Sequence, residues 1–105
     1  MLTKNDAIKI AGEFVNQCRK INLVFDRVIL FGSLAKDTNN INSDIDLALV
    51  SKQFTGDRFE NALMIAPITK NFLEIDAQTF PTDYFERGDP FIAEILGNGI
   101  DILIN

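Results

Sequence analysis

The chain has no histidine, no tryptophan and a single cysteine, Cys18, in 105 residues. Without histidine or a second cysteine it can form neither an internal disulfide, nor a His/Cys zinc site, nor a Ser-His or Cys-His catalytic arrangement. Any metal it binds must be held by oxygen. Basic residues are also sparse: 10 Lys and Arg stand against 15 Asp and Glu, for a formal charge of −5, and no run of them makes a stripe that a phosphate backbone could follow. Long nucleic acid is therefore not an expected partner, whereas a small anionic nucleotide can still be held through a divalent cation. No apolar stretch approaches the roughly 20 residues needed to cross a bilayer, and the first residues, Met1 to Asp6, lack the apolar centre of a signal peptide, so no membrane partner and a cytoplasmic location are expected.

What is present is enough for one core. Residues of the hydrophobic class make up 47% of the chain and nine are Phe, which suits a single domain over residues 1–105. A core of this size leaves little surface for a deep cleft, so a shallow site completed by a partner is expected; self-association is also compatible with the sequence.

Thr3 with Asp6 three residues later resembles a capping box. Ala7, Ile10, Phe14, Cys18 and Ile21 then recur at helical spacing, predicting a helix over 4–21. Val28-Ile29-Leu30-Phe31 reads as a central strand covered on both faces and ends at Gly32. A polar loop over 36–43 leads to a second strand over 45–50. Asp57 caps a helix that Pro67 should end or bend near Ala66. Residues 73–79 alternate apolar and polar, as in a half-buried strand, with Leu73, Ile75 and Ala77 inward. Asp89-Pro90 opens a short helix that Gly97 or Gly99 stops, and 100–104 forms a last edge strand.

Asp44 and Asp46, two apart at the start of an extended strand, leave the same face roughly 6.5 to 7 Å from each other. Ile45, Leu47 and Leu49 fix the register, because a slip of one residue would bury both acids. If the third strand is a neighbour, Asp76 joins the pair, with Glu74 and Gln78 on its face. Three carboxylates so placed repel unless a cation neutralises them, and hard oxygen ligands suit Mg²⁺ or Mn²⁺. Gly32-Ser33 allows a tight turn and offers a hydroxyl and N–H groups to a phosphate, with Lys36, expected on the first turn of a following short helix, as the nearby cation.

Each piece alone has a plainer explanation. A Gly-Ser after a strand is usually a turn, Asp-x-Asp a solvated strand end, Asp76 an exposed strand residue and Lys36 a solvent-facing side chain. Their conjunction selects the functional explanation. A P-loop needs a second glycine, which is absent between Gly32 and Thr38, and the apolar run after Asp46 excludes an EF-hand loop. A paired-carboxylate glycosidase would leave Gly-Ser unexplained and lacks a sugar-stacking tryptophan.

Leu30-Phe31-Gly32-Ser33-Leu34-Ala35-Lys36 and Ser43-Asp44-Ile45-Asp46-Leu47-Ala48-Leu49-Val50 resemble the signature of the nucleotidyltransferase superfamily related to DNA polymerase beta, and in particular its minimal bacterial and archaeal branch, the MNT domains. The resemblance implies an α/β (α+β) nucleotidyltransferase fold with a mixed sheet of about four strands flanked by helices. It further implies two divalent metals on Asp44 and Asp46 with Asp76 completing the catalytic site, and ATP with its outer phosphates on Gly32-Ser33. Members of the branch commonly pair with a helical HEPN partner, and some are antitoxins that transfer AMP to a tyrosine of that toxin. Alternatives are transfer to a small molecule such as an aminoglycoside, or a non-catalytic nucleotide-binding module that acts by contact. Lys36 stands where many relatives carry Arg, which keeps the charge and gives up bidentate contact.

Overall fold

The computed structural model describes residues 2–36, 44–102 and 104. The first helix, α1 (Lys4–Lys20), begins with the full capping box: Thr3 Oγ1 accepts from the Asp6 amide at 3.1 Å, and Asp6 accepts from the Thr3 amide at 3.0 Å. Its inner face buries Ala7, Ala11, Phe14, Val15 and Cys18. Four strands follow, β1 (Arg27–Phe31), β2 (Ile45–Ser51), β3 (Ile75–Pro81) and the two-residue β4 (Ile100–Asp101), in the spatial order β3-β2-β1-β4. The sheet is mixed, with β1 antiparallel to β2 and β4, and β2 parallel to β3. A parallel pair needs a crossover. Here α3 (Arg58–Thr69) supplies it, opened by Asp57, whose carboxylate accepts from the Phe59 and Glu60 amides.

The sheet is covered on both sides because alternate residues of its central strands are apolar on both. Val28, Leu30, Ile45, Leu47 and Leu49 pack with α1 and with Ile65 and Ile68 of α3. Ile29, Ala48 and Val50 point the other way, onto Phe80, Phe85, Ile92 and Ile95. That second core is closed by α4 (Thr82–Arg87) and α5 (Pro90–Asn98), the latter capped by Asp89, which accepts from the Ile92 amide at 2.7 Å. A buried side chain ties the crossover to β3: Asn61 Oδ1 accepts from the Thr55 amide at 2.9 Å, while Nδ2 donates to Thr55 O at 2.8 Å and Thr79 Oγ1 at 3.1 Å.

Several boundaries differ from those expected. The third helix passes through Pro67 to Thr69. Proline there removes a bond to the carbonyl of Leu63, but Leu63 and Pro67 both lie on the exposed face, where water can take its place. Strand β3 starts at Ile75, not Leu73, and extends to Pro81. Leu73 is 87% exposed, and it is Phe72 that turns inward, edge-on to Phe14 at 5.5 Å. Helix α4 was not expected at all, and β4 is shorter than 100–104, although Ile102 continues the ladder by donating to Val28 O at 2.8 Å. Of the expected polar loop, residues 37–43 lie outside the described residues, as does Leu103 of the last strand.

Candidate active site

The parallel register of β2 and β3 sets Asp46 opposite Asp76, and the antiparallel register of β1 and β2 sets Phe31 opposite Asp46. Paired residues share a face, so Phe31, Asp46 and Asp76 form one row across three strands, neighbouring Cα atoms being about 5 Å apart. The row lies at the end of the sheet where β2 begins, on the side carrying the second core. Asp44 precedes the strand rather than belonging to it, and is exposed. Glu74 likewise sits before β3, where its carbonyl accepts from the Ile45 amide at 2.8 Å and extends the pairing by one bond.

Asp46 is the most enclosed of the three acids. Its pKa is raised above the ordinary carboxylate value, first by burial and then by the negative charges of Asp76 and Asp44. Both neighbours therefore act on it electrostatically. One face of this carboxylate rests on Gly32, which has φ +74°; a Cβ placed there would stand 2.2 Å from Asp46 Oδ2. Only glycine leaves that space and adopts that backbone without strain. Gly32 opens the four-residue α2 (Gly32–Ala35), which holds Ser33 beside it and buries Leu34 and Ala35. Lys36 is the C-cap of α2 rather than a first-turn residue, and it is exposed.

Among the described residues, no group of three or more His, Cys, Asp or Glu side chains is gathered tightly enough to be a ready-made metal site. Burial first, and the charges of Asp76 and Asp44 after it, disfavour the ionised form of Asp46, and a cation at this place would offset both. The donor chemistry fits a hard divalent cation, being all carboxylate oxygen with no softer ligand at hand. The structure thus brings Gly32, Asp46 and Asp76 together, puts Asp44 and Ser33 next to them, and leaves Lys36 at the rim.

One functional candidate was not apparent from the sequence. Arg58, on the first turn of α3, donates to the side-chain amide of Gln78, which stands two residues beyond Asp76 on β3 and so on the same face. Twenty residues separate the two in sequence, and no local pattern signals the contact. Beyond Gln78, Phe80, Phe91 and Phe31 form a continuous aromatic floor, with ring centroids 6.2 and 5.9 Å apart.

A sequence model of the nucleotidyltransferase domain matches residues 12–102. No curated protein matches the chain at a significant level. Among solved structures, a candidate nucleotidyltransferase from Sulfolobus solfataricus aligns with a TM-score of 0.69 and 19% identity over 93% of this chain and 80% of its own. A toxin-antitoxin structure solved with AMP-PNP aligns with a TM-score of 0.58 and 18% identity, over 90% of this chain and 73% of its own. Identities this low carry the fold alone, which is the mixed-sheet α/β arrangement expected from the sequence.

Proposed function

The chain belongs to the nucleotidyltransferase domain family, and from that premise we propose that it transfers AMP from ATP to a hydroxyl group on a protein partner. The observation that carries the proposal is the Asp46–Asp76 register with Gly32 packed on the Asp46 carboxylate, since it joins an acidic pair to a sterically open turn. Asp44, Asp46 and Asp76 would hold divalent cations, Mg²⁺ or Mn²⁺, whose charge offsets that of the triphosphate. Ser33, the amides at the start of α2 and Lys36 then bind and orient the outer phosphates. Asp76, the exposed acid on the outermost strand, takes the proton from the acceptor hydroxyl. A bond forms from that oxygen to the α-phosphorus, and the bond to the departing pyrophosphate breaks on the opposite side, over Gly32 and Ser33.

The protein acceptor is supported by the open, partner-accessible setting of Asp76 and by the fold shared with the toxin-antitoxin structure that contains AMP-PNP. A tyrosine of a HEPN-type helical toxin is the acceptor that fits this assignment, which makes the chain an antitoxin acting in the cytoplasm. Incubation with α-labelled ATP, Mg²⁺ and the protein encoded beside it tests the assignment: label should appear on the partner and vanish with Asp44→Asn. Label on added aminoglycoside would move the activity to small molecules. Partner inhibition that survives Asp44→Asn without any labelling would reduce the chain to a binding module.

A further inference from the structure

An in-line displacement separates the entering and leaving oxygens, so an acceptor must arrive from the side of the site opposite Gly32 and Ser33. That side is β3, the edge strand, and a cavity of about 650 Å³ lies there. The cavity does not include the three aspartates. It takes in Phe80, four residues beyond Asp76 on the same strand face, and is walled by Tyr84, Arg87, Phe91, Thr55 and Arg58. Its volume falls in the usual range for a specific ligand site.

The charges in this cavity are unequal in what they have left to offer. Asp83 pairs with Arg87 at 3.5 Å, and the Arg87 guanidinium also lies over the Tyr84 ring at 5.8 Å. Asp89 accepts from the Tyr84 hydroxyl and from the Ile92 amide. Arg58, by contrast, donates to the neutral amide of Gln78 rather than to a carboxylate. A planar apolar group can lie on the half-exposed rings of Phe91 and Tyr84, and a carboxylate can exchange with Gln78 for the guanidinium fork of Arg58. Among the described residues no strand pairs with the outer edge of β3, and such an edge suits an extended chain better than a compact metabolite.

We propose that this cavity is the acceptor-docking site, taking a polypeptide segment that presents an aromatic side chain with an acidic residue next to it. The proposal rests on the transferase assignment above. The segment lies along β3 with its ring against Phe91 and Tyr84 and its carboxylate on Arg58, so that its hydroxyl-bearing residue reaches Asp76. The proton then passes to Asp76 while the oxygen joins the α-phosphorus of ATP and pyrophosphate departs.

The test uses the full chain labelled with ¹⁵N and two synthetic peptides, one of glutamate and tyrosine, the other of lysine and tyrosine, each titrated with and without ATP·Mg²⁺. The acidic peptide should shift the amide signals of Thr55, Tyr84 and Phe91, and bind about tenfold tighter than the basic one. Arg58→Glu should reverse that preference, and Phe91→Ala should weaken both peptides. Equal binding of the two peptides, shifts confined to other surfaces, or an unchanged preference in Arg58→Glu would overturn the proposal. ATP·Mg²⁺ is read separately through Gly32 and Lys36. If those signals stay still while the acidic peptide still seats in the cavity, the transferase assignment fails and the acceptor role fails with it, though a peptide site remains.

Discussion

Replacing Gly32 by alanine probes the joint between the turn and the acidic row. Two separate costs are expected. The φ of +74° is unfavourable for any residue with a Cβ, by about 1–2 kcal/mol. The new methyl would also stand 2.2 Å from Asp46 Oδ2, so that the carboxylate must retreat by about 1 Å to reach ordinary contact. Asp46 is only half-buried and can swing, which keeps the second cost near 1 kcal/mol. The total, about 2–3 kcal/mol, should lower Tm by on the order of 10 °C. Activity should fall further, by about a hundredfold, because a carboxylate proposed to hold metal, displaced by that distance, would no longer meet its partners. Urea denaturation of Gly32→Ala in the wild-type and Asp46→Ala backgrounds separates the terms, since the second background removes the overlap and keeps the φ cost. The coupling should be about 1 kcal/mol. Additivity within about 0.3–0.5 kcal/mol would refute the contact, and with it the steric reason for glycine.

Asp46→Asn should show a pH-dependent stability difference from wild type. A carboxyl whose folded pKa is raised contributes stability fully present below its unfolded value, here 3.8, and lost as pH rises through the higher folded value; wild type should therefore lose ground against Asp46→Asn between acid and neutral pH. Urea titrations of both proteins from pH 3 to 7 measure this, and a constant difference would contradict it. Added Mg²⁺ at a hundred times its Kd should return about 2.7 kcal/mol to wild type at neutral pH, and clearly less to Asp46→Asn, as read by Tm. Asn61→Ala should cost about 2–4 kcal/mol in denaturant unfolding, because it leaves the Thr55 amide and carbonyl without their partner. Burial pushes the Cys18 thiol up to about 12, so a thiol reagent at pH 8 should label it only as fast as the chain opens, with the rate rising in urea.

Much of the fold is written in short-range chemistry. Caps at Thr3, Asp57 and Asp89 mark helix starts because each side chain meets an amide two or three residues away. Likewise the apolar run after Asp46 marks β2 as an inner strand, and the structure buries it on both faces, with Ile45, Leu47 and Leu49 on one side and Ala48 and Val50 on the other. What escaped depends on groups distant in sequence. Leu73 matched the alternation, yet Phe72 is the residue that Phe14 receives, a contact spanning the chain from α1 to the approach to β3. Helix α4 carries only two buried residues, Thr82 and Phe85, too few to impose a helical period. Arg58 enters the site region only because the crossover returns its helix to the edge of β3.

Asp76 rides on an outer strand that, among the described residues, pairs with β2 alone, whereas Asp46 lies in one inner strand and Gly32 directly follows the other. Peeling that strand outward would dismantle the acidic row while most of both cores stayed packed, an opening that costs less than global unfolding. Whatever bridges Asp46 and Asp76 must therefore act as a clasp on the margin of the sheet. Catalytic competence and slow amide exchange along Ile75–Pro81 should rise and fall together, so the on-state is a mechanical property of one marginal strand.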